Sequence, residues 1–257
     1  LPATQQMGPL GSILLVVLMI ADYYLNISLW IYIGIIIATI ALLAYGSASV
    51  GSGFYCRVIC SADPNEKVIA LTFDDGPHKI LTPMILDILV RNEIKAAFFC
   101  VGEKVKAYPE VVRRIDSEGH IIGNHSGTHH FFFDLFSRER MIKELEGNDE
   151  VIGNLIKRKV KLFRPPYGVT NPALATVAAK KDYTVIGWSL KSRDTFIKNE
   201  EALLQRLENR LKNGDIILFH DTMEITARIL DRFIRYARGQ NYRFERIDNL
   251  LKINAYE

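Results

Sequence analysis

This chain of 257 residues has little cysteine and no cation near its start. Three cysteines cannot build a disulfide framework. Cys56 and Cys60 lack further ligands nearby, and Cys100 ends an apolar run, so buried or interfacial thiols are expected rather than a metal pair. No Lys or Arg precedes Arg57. Net charge is only +3 with 24% charged residues, and no basic stripe is interleaved with aromatics, which excludes a nucleic-acid reader. There is no internal repeat and no low-complexity tract.

What the N-terminal part does have is apolar length. Residues 13–21 are apolar, residues 22–28 read DYYLNIS, and residues 29–45 are apolar again, with Trp30, Tyr32 and Tyr45 near the ends. The second run approaches the length of a bilayer span, and aromatic flanks suit an interface. The pattern predicts a transmembrane helical hairpin over 13–46, in competition with a pair of core helices. A cleaved signal peptide fits poorly, because the segment has no positive n-region and its apolar stretch is double. Residues 8–12 read GPLGS, so 1–12 is taken as a tag remnant and left out of fold reasoning. Residues 47–66, rich in Gly and Ser and then polar, are expected to link the hairpin to a domain at 67–257. The expected location is integral to a bacterial cell membrane. A hairpin turn without Lys or Arg favours a cytoplasmic domain; the habit of the family named below favours the other face.

From residue 67 the chain alternates strand and helix. Strands are predicted at 68–73, 96–100, 121–122, 160–163, 183–188, 215–219 and 242–244. Helices are predicted at 82–91, 109–118, 137–156, 172–181, 200–211 and 224–238. Such alternation argues for a parallel sheet. About seven units in roughly 190 residues suit a small, incomplete barrel, which is one domain's worth of chain.

Polar clusters follow the apolar strands, where barrel enzymes keep their chemistry. TFDDGP places Asp74 and Asp75 at a strand end. Neighbouring residues leaving a strand point apart, so one carboxylate can bind a metal while the other takes a proton; a polar turn is the plainer alternative. NHSGTHH carries His125 and His129 four apart, a spacing that puts both rings on one face of a helical turn. Two His and one carboxylate make an open site for zinc or a similar divalent ion. His130 is expected to point away. In FRPPYG, Arg164 is placed to hold an active-site carboxylate, and the backbone N–H near Tyr167 to face an oxyanion; a rigid connector is the alternative. Asp194 and the ILFHD segment complete the set. His220, oriented by a carboxylate, suits a general acid on the opposite wall. Leu218 shares its strand face and suits an apolar pocket.

These motifs, in this order, resemble the polysaccharide deacetylase family (NodB homology, carbohydrate esterase family 4), over residues 67–244, nearly all of the expected domain. The resemblance implies an α/β fold, a distorted, incomplete (β/α) TIM-like barrel. It implies a divalent metal, usually zinc, with Co2+, Mn2+ or Ni2+ as alternatives, on Asp75, His125 and His129. It implies Asp74 as general base held by Arg164, His220 as general acid tuned by Asp194, the Tyr167 backbone at the oxyanion, and Leu218 at the acetyl methyl. Thr195 stands where the family often has Trp, which turns attention to Trp188 or Phe196 for the missing apolar wall. His130 replaces a frequent Pro and Ser126 a frequent Thr.

The expected activity is removal of N-acetyl groups from amino sugars of a cell-wall glycan such as peptidoglycan. A lipid-linked (polyprenyl-phosphate) amino sugar at the membrane surface is the alternative substrate, and a non-catalytic glycan-binding module the alternative function.

Overall fold

The computed structural model describes residues 16–17, 20, 22–24 and 28–257. The expected tag remnant at 1–12 and most of the first arm of the expected hairpin lie outside them. The second arm is helix α1, Leu29–Ala48, with Gly46 its one buried residue. Twenty residues rise about 30 Å, the thickness of a bilayer core. The described residues therefore contain one helix long and apolar enough to cross a membrane.

The strands are β1 (Val68–Asp74), β2 (Ala97–Cys100), β3 (Ile121–Asn124), β4 (Leu162–Phe163), β5 (Thr184–Val185), β6 (Leu190–Lys191), β7 (Ile216–His220) and β8 (Arg243–Phe244). They pair in the order β5-β4-β3-β2-β1-β7-β6, with β8 added at the start of β1. Every ladder is parallel. Helices α2 (Leu81–Arg91), α3 (Gly102–Ala107), α4 (Pro109–Ser117), α5 (Arg138–Ile156), α6 (Pro172–Lys180), α7 (Glu200–Glu208), α8 (Glu224–Gly239) and α9 (Ile247–Leu251) complete the chain. Short α3 and α9 were not expected from the pattern, because neither is long enough to show a period.

The sheet curls into an incomplete barrel. Strand order leaves β5 and β6 as its two ends, and the segment read as a linker fills the seam between them. Ile59 bridges Ile186 beyond β5, and Ser61 bridges Asp215 just before β7. The strand expected over 183–188 accordingly breaks: Gly187 N–H donates to the Ile59 carbonyl at 2.8 Å. A side chain at Gly187 would collide with Cys60 and Val58, so this close approach requires glycine there.

Alternation along the strands sorts the core into two faces. Ile69, Leu71 and Phe73 of β1 join Ile217 and Phe219 of β7 in the large cluster under the helices. Ala70, Ala97, Phe99, Ile121, Leu162 and Ile216 face inward and close the barrel floor. Thr72 and Leu218 stand level with Ala97 and Ile121, one step above Ala70 and Ile216, and Gly123 stands level with Phe99 one step higher. The inner face turns polar at the C-terminal ends of the strands.

The helix ends follow their caps. Ser137 accepts from Arg140 N–H, Asn171 from Leu174 N–H ahead of Pro172, and Asn199 from Ala202 N–H. Helix α1 is tied to the domain at its C-terminal end: Thr170 N–H donates to the Ser47 carbonyl at 3.1 Å.

Candidate active site

The rim is assembled by register. Asp74, the last residue of β1, stands beside His220, the last of β7. On the other side of β1, Cys100 of β2 pairs with Asn124, and Asn124 pairs with Phe163. His125 and Arg164 are the residues that follow, so four strands deliver four functional groups to one rim. His220 is thus next to Asp74 across one ladder, not on the opposite wall: β1 and β7 are neighbours.

Asp75, His125 and His129 come together, with one donor atom from each lying within 4.8 Å of the others. Asp75 Oδ1 is 3.4 Å from His125 Nε2 and 3.3 Å from His129 Nε2. The two His do not use a helical turn, as their spacing suggested. Residues 125–129 form a loop in which Ser126 and His129 have φ of 66° and 50°. Asp75 also has positive φ, 71°. Such backbone is uncommon away from glycine and gathers where geometry is imposed by surroundings.

Those surroundings are polar and buried. Asn124 Oδ1 accepts from Ser126 N–H at 2.8 Å, and Ser126 Oγ accepts from His129 N–H at 3.0 Å. From α5, Asn148 donates to the Cys100 carbonyl, the Asn124 side chain and the Ser126 carbonyl. Asn148 went unremarked in the sequence, though it sits among Met141, Leu145 and Ile152 on the buried stripe of α5. A polar residue on that stripe was the available signal.

The donor set fits a divalent cation. His125 Nδ1 lies 2.7 Å from the Arg164 carbonyl, an acceptor only, so Nδ1 carries the hydrogen and Nε2 offers its lone pair to the site. Burial opposes ionisation of Asp75, but the hydrogen bond and charge of His125, with His129, hold its carboxyl far below the usual range. Burial depresses His125 as well, yet Asp74 and Asp75 outweigh it and leave the ring raised. His129 is lowered by burial and by His125 beside it. Such paired acids and imidazoles favour a cation between them. His130 lies off the set, its ring 5.0 Å from Phe136.

Asp74 is fixed from behind. Arg164 is fully buried and donates from Nη1 to Asp74 Oδ1 and to Thr72 Oγ1, at 2.7 and 2.8 Å. Its remaining donors reach the Ile186 and Gly187 carbonyls. The guanidinium carbon lies 4.1 Å over the Phe99 ring. Removing one partner of such a pair costs about 3–5 kcal/mol, because the other charge is left buried alone.

On β7, His220 Nδ1 meets Asp194 Oδ1 at 2.7 Å, while Asp194 Oδ2 accepts from His220 N–H and Thr226 Oγ1. Burial lowers His220, but Asp194 more than reverses this and raises it. Asp194 itself is lowered, burial being overcome by His220. Leu218 is buried on the same strand face, one layer below His220. Tyr167, half exposed with φ of 58°, sets its ring 4.7 Å from that of His129. Trp188 covers Gly168 and stands 5.8 Å from the Arg164 guanidinium, whereas Phe196 is 76% exposed. Of the two aromatics weighed for an apolar wall, Trp188 is the one built into the rim.

Asp221 has a different place from its neighbour. It is fully buried, with Thr82 Oγ1 donating to it at 2.6 Å and Oδ1 without a partner among the described residues. Burial pushes its carboxyl up to about 7. Gly76 passes so close over it that a side chain there would overlap the carboxylate. The Asp221 N–H donates to the Asp74 carbonyl at 3.3 Å.

The family model for polysaccharide deacetylases matches residues 61–186. A peptidoglycan-N-acetylglucosamine deacetylase of Bacillus cereus is 33% identical over 193 residues, spanning 73% of this chain and 90% of that one. The chain belongs to the polysaccharide deacetylase family. The peptidoglycan-N-acetylmuramic acid deacetylase PdaC of Bacillus subtilis is 34% identical across 75% of this chain, which spans 40% of that relative's length. A crystal structure of a peptidoglycan N-acetylglucosamine deacetylase superposes with a TM-score of 0.74 at 26% identity, over 78% of this chain and 95% of that one. The curled parallel half-barrel is therefore shared with carbohydrate esterases of this family.

Proposed function

We propose that this polysaccharide deacetylase hydrolyses the N-acetyl group of amino sugars in a cell-wall glycan such as peptidoglycan, using a divalent cation on Asp75, His125 and His129. The observation that carries the reading is the pair of oriented proton-transfer groups beside that donor set. Asp74 is locked by Arg164, and His220 is locked by Asp194.

A cation held there, zinc by the donor chemistry, would supply Lewis acidity toward the acetamido carbonyl and the attacking water. Asp74 presents Oδ2, the oxygen that Arg164 leaves unbound, to take the proton of that water. His220 keeps Nδ1 on Asp194 and directs Nε2 to the leaving nitrogen, to which it gives a proton. Splitting base and acid between two residues of opposite charge state lets both operate at one pH. The Tyr167 N–H faces the oxygen that gains charge, and Leu218 with Trp188 bounds the methyl. Acetate and a free amine leave.

The names of the relatives supply the substrate class, and the intact acid and base argue against a binding-only module. Helix α1 is read as the membrane anchor of a bacterial enzyme whose catalytic domain covers 67–257 together with the seam segment around Ile59 and Ser61. Its length and exposed apolar surface support that reading.

The test is acetate release by the zinc-loaded protein from peptidoglycan and from chitooligosaccharides. Turnover of either supports the assignment. A protein that binds zinc and releases acetate from no amino sugar is a binding module instead.

A further inference from the structure

Beside the rim lies a groove of about 1220 Å³ whose cationic wall the reaction above does not use. Tyr167 and Trp188 form its inner end. Ala48, Ser49, Val50 and Gly51, where α1 leaves its membrane-crossing length, form one wall. The other wall carries Lys191, Arg193, Arg206, Arg210 and Lys212. Asp215 is the single acid lining it, and its carboxylate is taken up by Ser189 Oγ and the Lys212 N–H.

These cations are not an ordinary solvated exterior. On the neighbouring helix α8, Arg228, Arg232 and Arg235 are each neutralised, by Glu224, Glu201 and Asp231. In the groove, Arg193, Arg210 and Lys212 make no ion pair among the described residues. Arg206 is held in place by the Ser192 and Lys191 carbonyls at 3.1 Å each, neither of which cancels its charge. Arg206 is depressed by burial and then by the charges of Arg210 and Arg193, so the three repel one another. A chain with a net charge of only +3 concentrates five cations here, against one committed acid. Such a cluster lowers its own energy by binding an anion, and guanidinium forks match phosphate oxygens.

We infer that this groove binds a phosphate or diphosphate group attached to the amino-sugar substrate, placing the sugar's acetamido group at the rim. The inference rests on the deacetylase reading and adds the substrate's anionic handle. The inner end of the groove touches the chemistry twice, through Tyr167 on His129 and Trp188 beside Arg164. The outer wall is the anchor's exit, pinned by Thr170 to Ser47, so a lipid carrier joined through the phosphate has a direct path along α1.

The experiment uses the zinc-loaded full chain in nanodiscs and three N-acetylglucosamine probes: the methyl glycoside, the 1-phosphate, and the polyprenyl diphosphate. Both phosphorylated probes are expected to exceed the methyl glycoside in kcat/KM by tenfold or more, with the advantage falling as salt rises. Arg210→Glu with Lys212→Glu removes the advantage and leaves methyl glycoside turnover within twofold. A lipid-linked probe better than the 1-phosphate identifies a membrane carrier as the source; equal rates identify a soluble sugar phosphate. Equal turnover of charged and neutral probes, or an advantage untouched by the double variant, overturns the inference while leaving the deacetylase intact. Binding is also read without turnover, from the phosphorus NMR signal of the 1-phosphate with the Asp74→Asn protein. Tenfold weaker binding after the charge reversal supports the groove even if acetate is never released, and unchanged binding refutes it.

Discussion

Asp74 and His220 end adjacent parallel strands in direct register, side by side on the rim. Each is braced by a partner from a distant part of the chain, Arg164 at 2.7 Å and Asp194 at 2.7 Å. Two groups of opposite proton-transfer sense therefore hold their places before any substrate arrives. That preorganisation is the basis on which variants at the two positions should behave differently from variants among the cation ligands.

Asp74→Asn should lower kcat by about 10²–10⁴-fold, the usual worth of a general base, while zinc still binds. His125→Ala should lose zinc affinity by a large factor, because one of three donors goes. Calorimetric titration of zinc into both purified proteins separates the outcomes. An Asp74→Asn enzyme with full activity would move the base elsewhere.

The pH dependence follows from the Asp194–His220 pair. His220 is raised by Asp194, so its protonated form persists to higher pH and activity is lost as pH rises through that value. Asp194→Asn removes the raising charge and leaves burial to depress the ring. The alkaline limb of the kcat/KM profile should shift to lower pH. A limb that stays put would mean that His220 is not the group being titrated.

Asn148→Leu fills nearly the same volume but deletes three hydrogen bonds under the His125–His129 loop. Stability should fall by about 1–3 kcal/mol, the cost of buried acceptors left unpaired. Zinc affinity should weaken too, although Asn148 touches no ligand atom. Urea melts with and without zinc measure both effects. A variant with lost stability and undiminished zinc affinity would show that Asn124 alone shapes the loop.

Acid should act through His120. It is buried, its Nδ1 accepts from Ala96 N–H, and burial pushes it down to about 3. The unfolded chain takes up that proton below about 6.5, and the folded chain resists, so stability drops as pH falls from there toward 3. His120→Leu should be less stable at pH 7, since Ala96 N–H loses its acceptor, but its stability should change less over that interval. Parallel melting curves in the two proteins decide this.

Much of this was legible from local pattern. Buried parallel strands are short apolar runs, and the groups of the site stand directly after them, because the C-terminal ends of parallel strands share one rim. The cap at Ser137 was equally local in kind, a polar side chain before a helix, whereas those at Asn171 and Asn199 show only in the structure. The break after Val185 was not legible. Residues 183–188 read as one strand, and only the approach of Ile59 across the seam divides them. The loop path of His125 to His129 was likewise hidden, since a spacing of four is compatible with helix or loop.

The sequence alone determined which side chains exist to do chemistry and in what order the strands present them, since both are properties of residue type and short-range periodicity. Tertiary structure alone decided what surrounds them. Arg164 reaches Asp74 from 90 residues away, and Asn148 reaches Ser126 from 22. The cations of the groove come from β6, the helix that follows it and the two loops beside that helix, and they line one groove only where those segments pack against Tyr167, Trp188 and residues 48–51. Hydrogen bonds and Coulomb forces depend on distance in space, and that distance is set by packing rather than by position along the chain.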